Sequence, residues 1–599
     1  MFQQVLAPLG SLTVSALVAL LPLLTIFVLL GALRVKAHWA ALASVAVAIL
    51  VAVIAYGMPV GLALLSATEG AVFGLVPIMW IVFAAIWLYQ LTVVSGRFED
   101  LRAAFGRISD DPRCQAIIIA FCFGGLMEAL AGFGAPVAIT GVMLMGLGFS
   151  PIRAAVVVLL ANTAPVAFGA IGTPIITAGA LTKIPYQEIG AYVGRQTPLL
   201  AVVVPLLLVL LVDGRRGVRQ TWPVALSVGV TFAIAQFIAS NFISVELTDI
   251  IASLLGLVAA VVTLRMWTPE GGAQARQRLL AEEEEELSAV AAGHRAAVGG
   301  GRGADGGSTR TIEPPARPTG GADGGTDRDV DRDIDRGADR NADRGPDRAL
   351  DGGRLLMAFF PYLLVIVVFC AAKLITPLTK ALGATDVKIK WPGLDGHVLN
   401  AAGKPVTTTV YVFPWLSSPG TLLLICGIIT ALVYRLPARR ALGEFVATAV
   451  KLRFAFLTVA SVLALAYVMN ISGQTTTIGT WIAGTGAAFA FLSPILGWLG
   501  TAVTGSDTSA NALFATLQQT AAQKAGLDPT LLVAANTSGG VVGKMISPQN
   551  LTIAATAVGV LGRESDLFRK CVLWSVGLLA LLCLLVGLQS TSVLGWMLP

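Results

Sequence analysis

Apolar stretches long enough to cross a hydrocarbon core recur from Leu12 almost to the end of this 599-residue chain, and that recurrence constrains its fold more than any single motif. A spanning helix needs roughly 20 apolar residues. Runs of that kind lie near 12–33, 38–57, 71–94, 154–172, 191–212, 222–240, 247–265, 355–376, 419–434, 449–470, 528–546 and 568–590. With 56% hydrophobic and 13% charged residues, the chain has more apolar side chain than one soluble core can bury, so a bilayer must act as solvent. The first run lacks a basic leader and is followed by Arg34 and Lys36 rather than a small-residue cleavage site, so it reads as a membrane helix.

Two further apolar stretches are interrupted. Gly124, Gly125, Gly132, Gly134 and Pro136 break 115–149, and 480–524 is broken as well. Each can dip in and return, so both are read as re-entrant hairpins; two further crossings apiece is the rival count. The expected fold is an all-α integral membrane protein with about 12 transmembrane helices plus two hairpins in an inverted repeat. Clusters such as Arg97, Arg102, Arg107 and Arg113, then Arg215, Arg216 and Arg219, mark cytoplasmic loops and place both termini outside. The loop 377–418 would be external despite Lys380, Lys388, Lys390 and Lys404; it is long and also carries Asp386 and Asp395, which weakens the rule there.

The formal charge of +6 is thus a topology signal and not a nucleic-acid footprint. Six cysteines without paired spacing and three unclustered histidines argue against a zinc or haem centre, and no cofactor is expected. Residues 266–354 change character, with an acidic run at Glu282–Glu286 and an Asp-Arg repeat over 327–348. Such a segment has too little apolar surface to order itself. It reads as a disordered cytoplasmic linker between an N-terminal membrane half, 1–265, and a C-terminal one, 355–599.

Ala161-Asn162-Thr163, Gly169 and Thr173-Pro174 recur at one constant offset as Ala535-Asn536-Thr537, Gly543 and Ser547-Pro548. An odd number of spans separates the copies, which predicts opposite directions, with Asn162 and Asn536 close to one another near the midplane. A helix broken in the membrane turns unpaired N–H groups toward a cavity, where an anion can sit. Gly132, Gly134, Thr508, Ser509 and Asn511 at the hairpins, with Asn162, Thr163, Asn536 and Thr537 in the repeat, could bind a carboxylate and an adjacent hydroxyl; the competing reading is helix packing. Glu128, Asp507 and Lys544 are ionisable groups in the same segments, where charge is costly and needs a cavity or a partner. Lys544 is the expected counter-charge for substrate, or a structural partner of Asp507. Asp507 is the favoured proton carrier and Glu128 the second choice.

The segments EALAGFGAPVAITG (128–141), ANTAPVAFGAIGTPIIT (161–177), TGSDTSANALF (504–514) and NTSGGVVGKMISPQNLTIAA (536–555) resemble the L-lactate permease family over nearly the whole chain except the linker. The resemblance implies proton-coupled uptake of L-lactate, and in related members D-lactate or glycolate, across the bacterial inner membrane. Partners would be the small carboxylate, protons and membrane lipid, with a homo-oligomer left open. A sodium-coupled carrier of di- or tricarboxylates is the runner-up, although a larger anion would need more cations than Lys544. A passive channel and a membrane enzyme also compete, but no nucleophile–base pair or metal-ligand cluster stands out, and no Gly-rich nucleotide loop appears.

Overall fold

A computed structural model describes residues 1–132, 134–281 and 352–599, and helices dominate it. Among the described residues ten helices are long and apolar enough to cross a bilayer, from Leu12–Ala32 to Glu564–Gln589. An eleventh is gained if the pair Pro151–Ala161 and Val166–Thr182, bent by 65°, counts as one span. Two expected spans, 191–212 and 222–240, fall in the single run Thr197–Ile243, interrupted at Asp213 and at Gly214, whose φ is +62°. Two others are the 15-residue helices Pro419–Val433 and Pro529–Gly543, shorter than the pattern suggested. The protein is a multi-pass membrane protein. Ile54, Phe242, Leu432 and Leu573 face outward, as lipid solvation requires.

Both interrupted stretches bend where glycine permits it. In the first, Pro112–Ala131 ends at Gly132 (φ +40°) and Gly134 (φ +86°), and the chain resumes as Ala135–Met145. In the second, Phe489–Thr504 ends at Gly505 (φ +76°) and Asp507–Ala525 follows. Each positive φ is costly for residues with a Cβ. The arm Phe489–Thr504 lies very close to Pro529–Gly543: a methyl group on Gly497 would run into the Asn536 carbonyl, and one on Gly539 into that of Pro494. Such close approach by small residues is how helices associate without a hydrophobic driving force.

The two repeat copies break at matched positions. In the first, Ala170, Ile171 and Gly172 have φ of +45°, +59° and +71°; in the second a short 3-10 turn, Lys544–Ile546, fills the same place, and Pro548–Ala557 follows. A positive φ at a β-branched residue such as Ile171 is strained backbone. The helix Val60–Val94 breaks too, at Val76 before Pro77, which supplies no N–H. The Tyr411 hydroxyl donates to the Val76 carbonyl at 2.8 Å. Burial pushes this phenol up to about 12, so it stays a donor.

Tyr411 belongs to a small extramembrane layer. Val387–Lys390 pairs antiparallel with Val410–Phe413, and the N-terminal strand Phe2–Gln3 runs parallel to Val398–Leu399. The amino terminus and the 377–418 loop therefore share one face. At the segment read as linker, residues 272–281 are helical, with Ala275 and Leu279 buried. Arg278 pairs with Asp213 at 3.3 Å, and the buried Arg113 binds Asp111, Asp213, Gln220 and the Glu270 carbonyl. The expected linker start at 266 is too early; the disorder expected of 282–351 lies outside the described residues.

Candidate functional site

Glu128 sits near the end of Pro112–Ala131, one turn before the glycine bend, and is 3% exposed. Lys544 opens the 3-10 turn of the second broken helix and is 7% exposed. The fold brings these distant residues together: Lys544 Nζ donates to Glu128 Oε1 at 2.5 Å. Asn162 Nδ2 donates to the other oxygen, Oε2, at 3.1 Å. Gly169 leaves room for the carboxylate, since a Cβ there would lie 2.8 Å from Oε1. A buried ion pair needs further hydrogen bonds to offset desolvation, and Asn162 provides one.

The backbone around Lys544 is held by Asn550, which the sequence reading did not single out. Asn550 Nδ2 donates to the Lys544 carbonyl at 3.1 Å and to Ser547 Oγ at 2.9 Å, and it reaches the Gly505 carbonyl at 3.5 Å. Ser547 caps Pro548–Ala557 by accepting from the Asn550 N–H. The only sequence signal was the S-P-Q-N run, in which a capping serine precedes an amide on the first helical turn.

Asp507 begins the helix Asp507–Ala525, where an acid suits the helix dipole. Its Oδ1 accepts from the Thr501 hydroxyl at 3.3 Å, while Oδ2 is buried without a hydrogen-bond partner among the described residues. A Cβ on Gly540 would collide with Oδ1. Lys544 is close enough to act on Asp507 electrostatically, but its direct ion pair is with Glu128. The alternative of a structural Lys544–Asp507 pair is thereby corrected.

Glu128, Gly132, Asp507, Thr508, Ser509 and Lys544 share one cavity of about 250 Å³. That is smaller than the roughly 300–1,000 Å³ of pockets for drug-sized ligands, and suits a small organic ion. His38 and Phe454, stacked at 4.7 Å, form another part of the wall and were not foreseen. The other expected residues point elsewhere. Asn511 Oδ1 accepts from Asn536 Nδ2 at 2.9 Å and from the Thr537 hydroxyl at 3.0 Å, while Asn511 Nδ2 donates to the Pro174 carbonyl at 3.1 Å. Gly134 packs on Ile553, and the Thr163 hydroxyl donates to Leu160. Asn162 bonds Glu128 and Asn536 bonds Asn511, with no hydrogen bond between the two asparagines among the described residues. None of these other expected residues lines that cavity.

No group of three or more histidine, cysteine, aspartate or glutamate side chains among the described residues could hold a metal ion. The chemistry of the site is a lysine, two acids and hydroxyl groups between broken helices. The family model for L-lactate permease matches residues 15–298 and 330–593. The chain belongs to the L-lactate permease family. It is 40% identical to the L-lactate permease of Bacillus subtilis, with 98% of each chain covered, and 40% identical to the glycolate permease of Escherichia coli, again with 98% of each covered. The L-lactate permease of Escherichia coli is 39% identical over the full length of both chains. The YdaH transporter of Alcanivorax borkumensis aligns over 89% of this chain and 88% of its own at 14% identity and a TM-score of 0.42, a likeness too loose to argue from. Membership in this family makes the chain a multi-pass transporter of the bacterial inner membrane and not an enzyme.

Proposed function

We propose that this permease carries L-lactate and related 2-hydroxymonocarboxylates, D-lactate and glycolate among them, together with a proton. The observation that carries the reading is the buried Lys544–Glu128 pair at the cavity. An incoming carboxylate has one partly enclosed cation to bind, and that cation already holds an internal carboxylate. Substrate and Glu128 therefore compete for Lys544. A carboxylate left buried without a counter-charge is strongly unfavourable, so Glu128 takes up a proton when substrate displaces it. One proton then enters with each anion. The Lys544 contact supports giving Glu128, rather than Asp507, the coupling role, with Asp507 as a second acid on the cavity wall.

Thr508 and Ser509, at the start of a helix, offer hydroxyl donors for the substrate. The names of the relatives, lactate and glycolate permeases, support the substrate class. Coupling to a proton also removes the electrical cost of moving an anion into a negative interior, about 2.3 kcal/mol per charge per 100 mV. The test is uptake of labelled lactate into proteoliposomes under an imposed pH gradient, with and without sodium. Accumulation that follows the pH gradient and ignores sodium is expected. Dependence on a sodium gradient would support the sodium-coupled reading instead.

A further inference from the structure

Asp249 is a fully buried acid to which the site as described gives no role. It lies in the first turn of Thr248–Met266. Its Oδ1 accepts from Gln236 Nε2 at 2.9 Å, and Oδ2 has no hydrogen-bond partner among the described residues. Gln236 is itself fixed: Nε2 reaches the Ala164 carbonyl at 3.4 Å, in the break of the first motif helix, and Oε1 accepts from the Thr197 hydroxyl at 3.1 Å.

The helix register places this acid against Glu128. A Cβ on Gly256 would lie 3.6 Å from Cys122 Sγ, and one on Gly125 would lie 2.7 Å from Ser253 Oγ. Going up Pro112–Ala131 thus means going down Thr248–Met266. One further turn along each brings Glu128 to the level of Asp249, and the two carboxyl groups are within electrostatic reach of each other. Of the groups facing Asp249, Gln236 and Thr197 from Thr197–Ile238 are uncharged, and Lys544 lies beyond Glu128.

We propose that Asp249 is the acid with which Glu128 exchanges its proton, so that the transported proton is shared between carboxyl groups on adjacent helices. This rests on the reading in which substrate displaces Glu128 from Lys544. As Lys544 turns to the substrate, the O–H bond at Asp249 breaks and one forms at Glu128. Asp249 is left as a carboxylate held by the Gln236 amide, and it regains a proton from the aqueous side. The balance is one proton per substrate anion, with no electron transfer.

The test is Asp249→Asn in proteoliposomes, a change that keeps the Gln236 contact and removes only the exchangeable proton. Wild-type protein should accumulate lactate about tenfold per pH unit of imposed gradient, the limit for one coupled proton. Asp249→Asn should lose that accumulation and also slow the exchange of labelled for unlabelled lactate between equal pools, because Glu128 then lacks its proton donor, and Asp249→Glu should restore both. Asp249→Asn that still accumulates lactate with an unchanged pH profile overturns the inference alone. Loss of exchange together with accumulation in both variants, in monodisperse protein, overturns it in favour of a structural role. Wild-type protein that does not exchange lactate sinks the transport reading itself.

Discussion

Replacing Glu128 by glutamine tests the competition at the heart of the proposed cycle. In the wild-type protein, lactate must take Lys544 from Glu128, a contact of 2.5 Å between buried groups. Glutamine keeps the size and its one oxygen can still accept from Lys544, but it brings no charge and sets an NH2 donor where Glu128 Oε2 accepts from Asn162. A hydrogen bond to a charged group contributes about 1.5–3 kcal/mol net, so weakening the internal competitor should tighten lactate binding by roughly tenfold to a hundredfold. The pH response is the sharper readout. Wild-type binding takes up a proton, so affinity should rise as pH falls, by at most about tenfold per unit for one proton. In Glu128→Gln no proton is required and the slope should flatten. The empty variant also buries Lys544 without a counter-charge, a change that costs up to about 3–5 kcal/mol where nothing compensates, so its melting temperature should fall and lactate should raise it by more than in wild type. Binding of labelled lactate to purified protein across a pH series, beside a thermal melt, reads all three quantities. Unchanged affinity and an unchanged slope would refute competition between substrate and Glu128.

Asp507→Asn discriminates between the two acids on the cavity: with coupling on Glu128, proton-driven accumulation survives this change, and its complete loss with exchange intact would return the role to Asp507. Tyr411→Phe removes the donor to the Val76 carbonyl at the break before Pro77, which should cost about 1 kcal/mol and lower the melting temperature without altering the pH dependence of uptake. Deleting 285–348, a stretch rich in Gly, Ala, Asp and Arg with little large apolar side chain, should leave uptake at the wild-type level. Starting the deletion at 275 also removes the buried Ala275 and Leu279 and the Arg278–Asp213 pair, and should reduce the fraction of monodisperse protein on size exclusion.

The helix breaks were legible in the sequence because their cause is local. Gly132, Gly134 and Gly505 stand where φ is positive, and Pro548 opens a helix beside a capping serine, so residue type alone marks the place. The merging of 191–212 with 222–240 was not legible, because a polar stretch around Asp213 and Arg216 reads as a loop whether or not helical backbone continues through most of it. The hydrogen-bonding role of Asn511, Asn536 and Thr537 was legible, but its direction was not. In a bilayer Asn and Thr side chains also hydrogen-bond across helices, so residue type does not separate a helix contact from a ligand contact, and these three bond one another. Asp249 shows the converse: nothing in the expected span 247–265 marked it, and it is buried where Thr248–Met266 packs against neighbouring helices. The pairing of Lys544 with Glu128 spans 416 residues, far beyond any periodicity. From the sequence Lys544 was matched with a substrate carboxylate or with Asp507, whereas the structure pairs it with Glu128 and not Asp507. What chose between them was which side of a bend each acid occupied: Glu128 precedes the glycine turn and projects across Gly169, whereas Asp507 follows its own turn and is drawn toward Thr501 and Gly540. The same bends that sequence revealed as breaks therefore assign the charges, but only once the two halves are packed against each other.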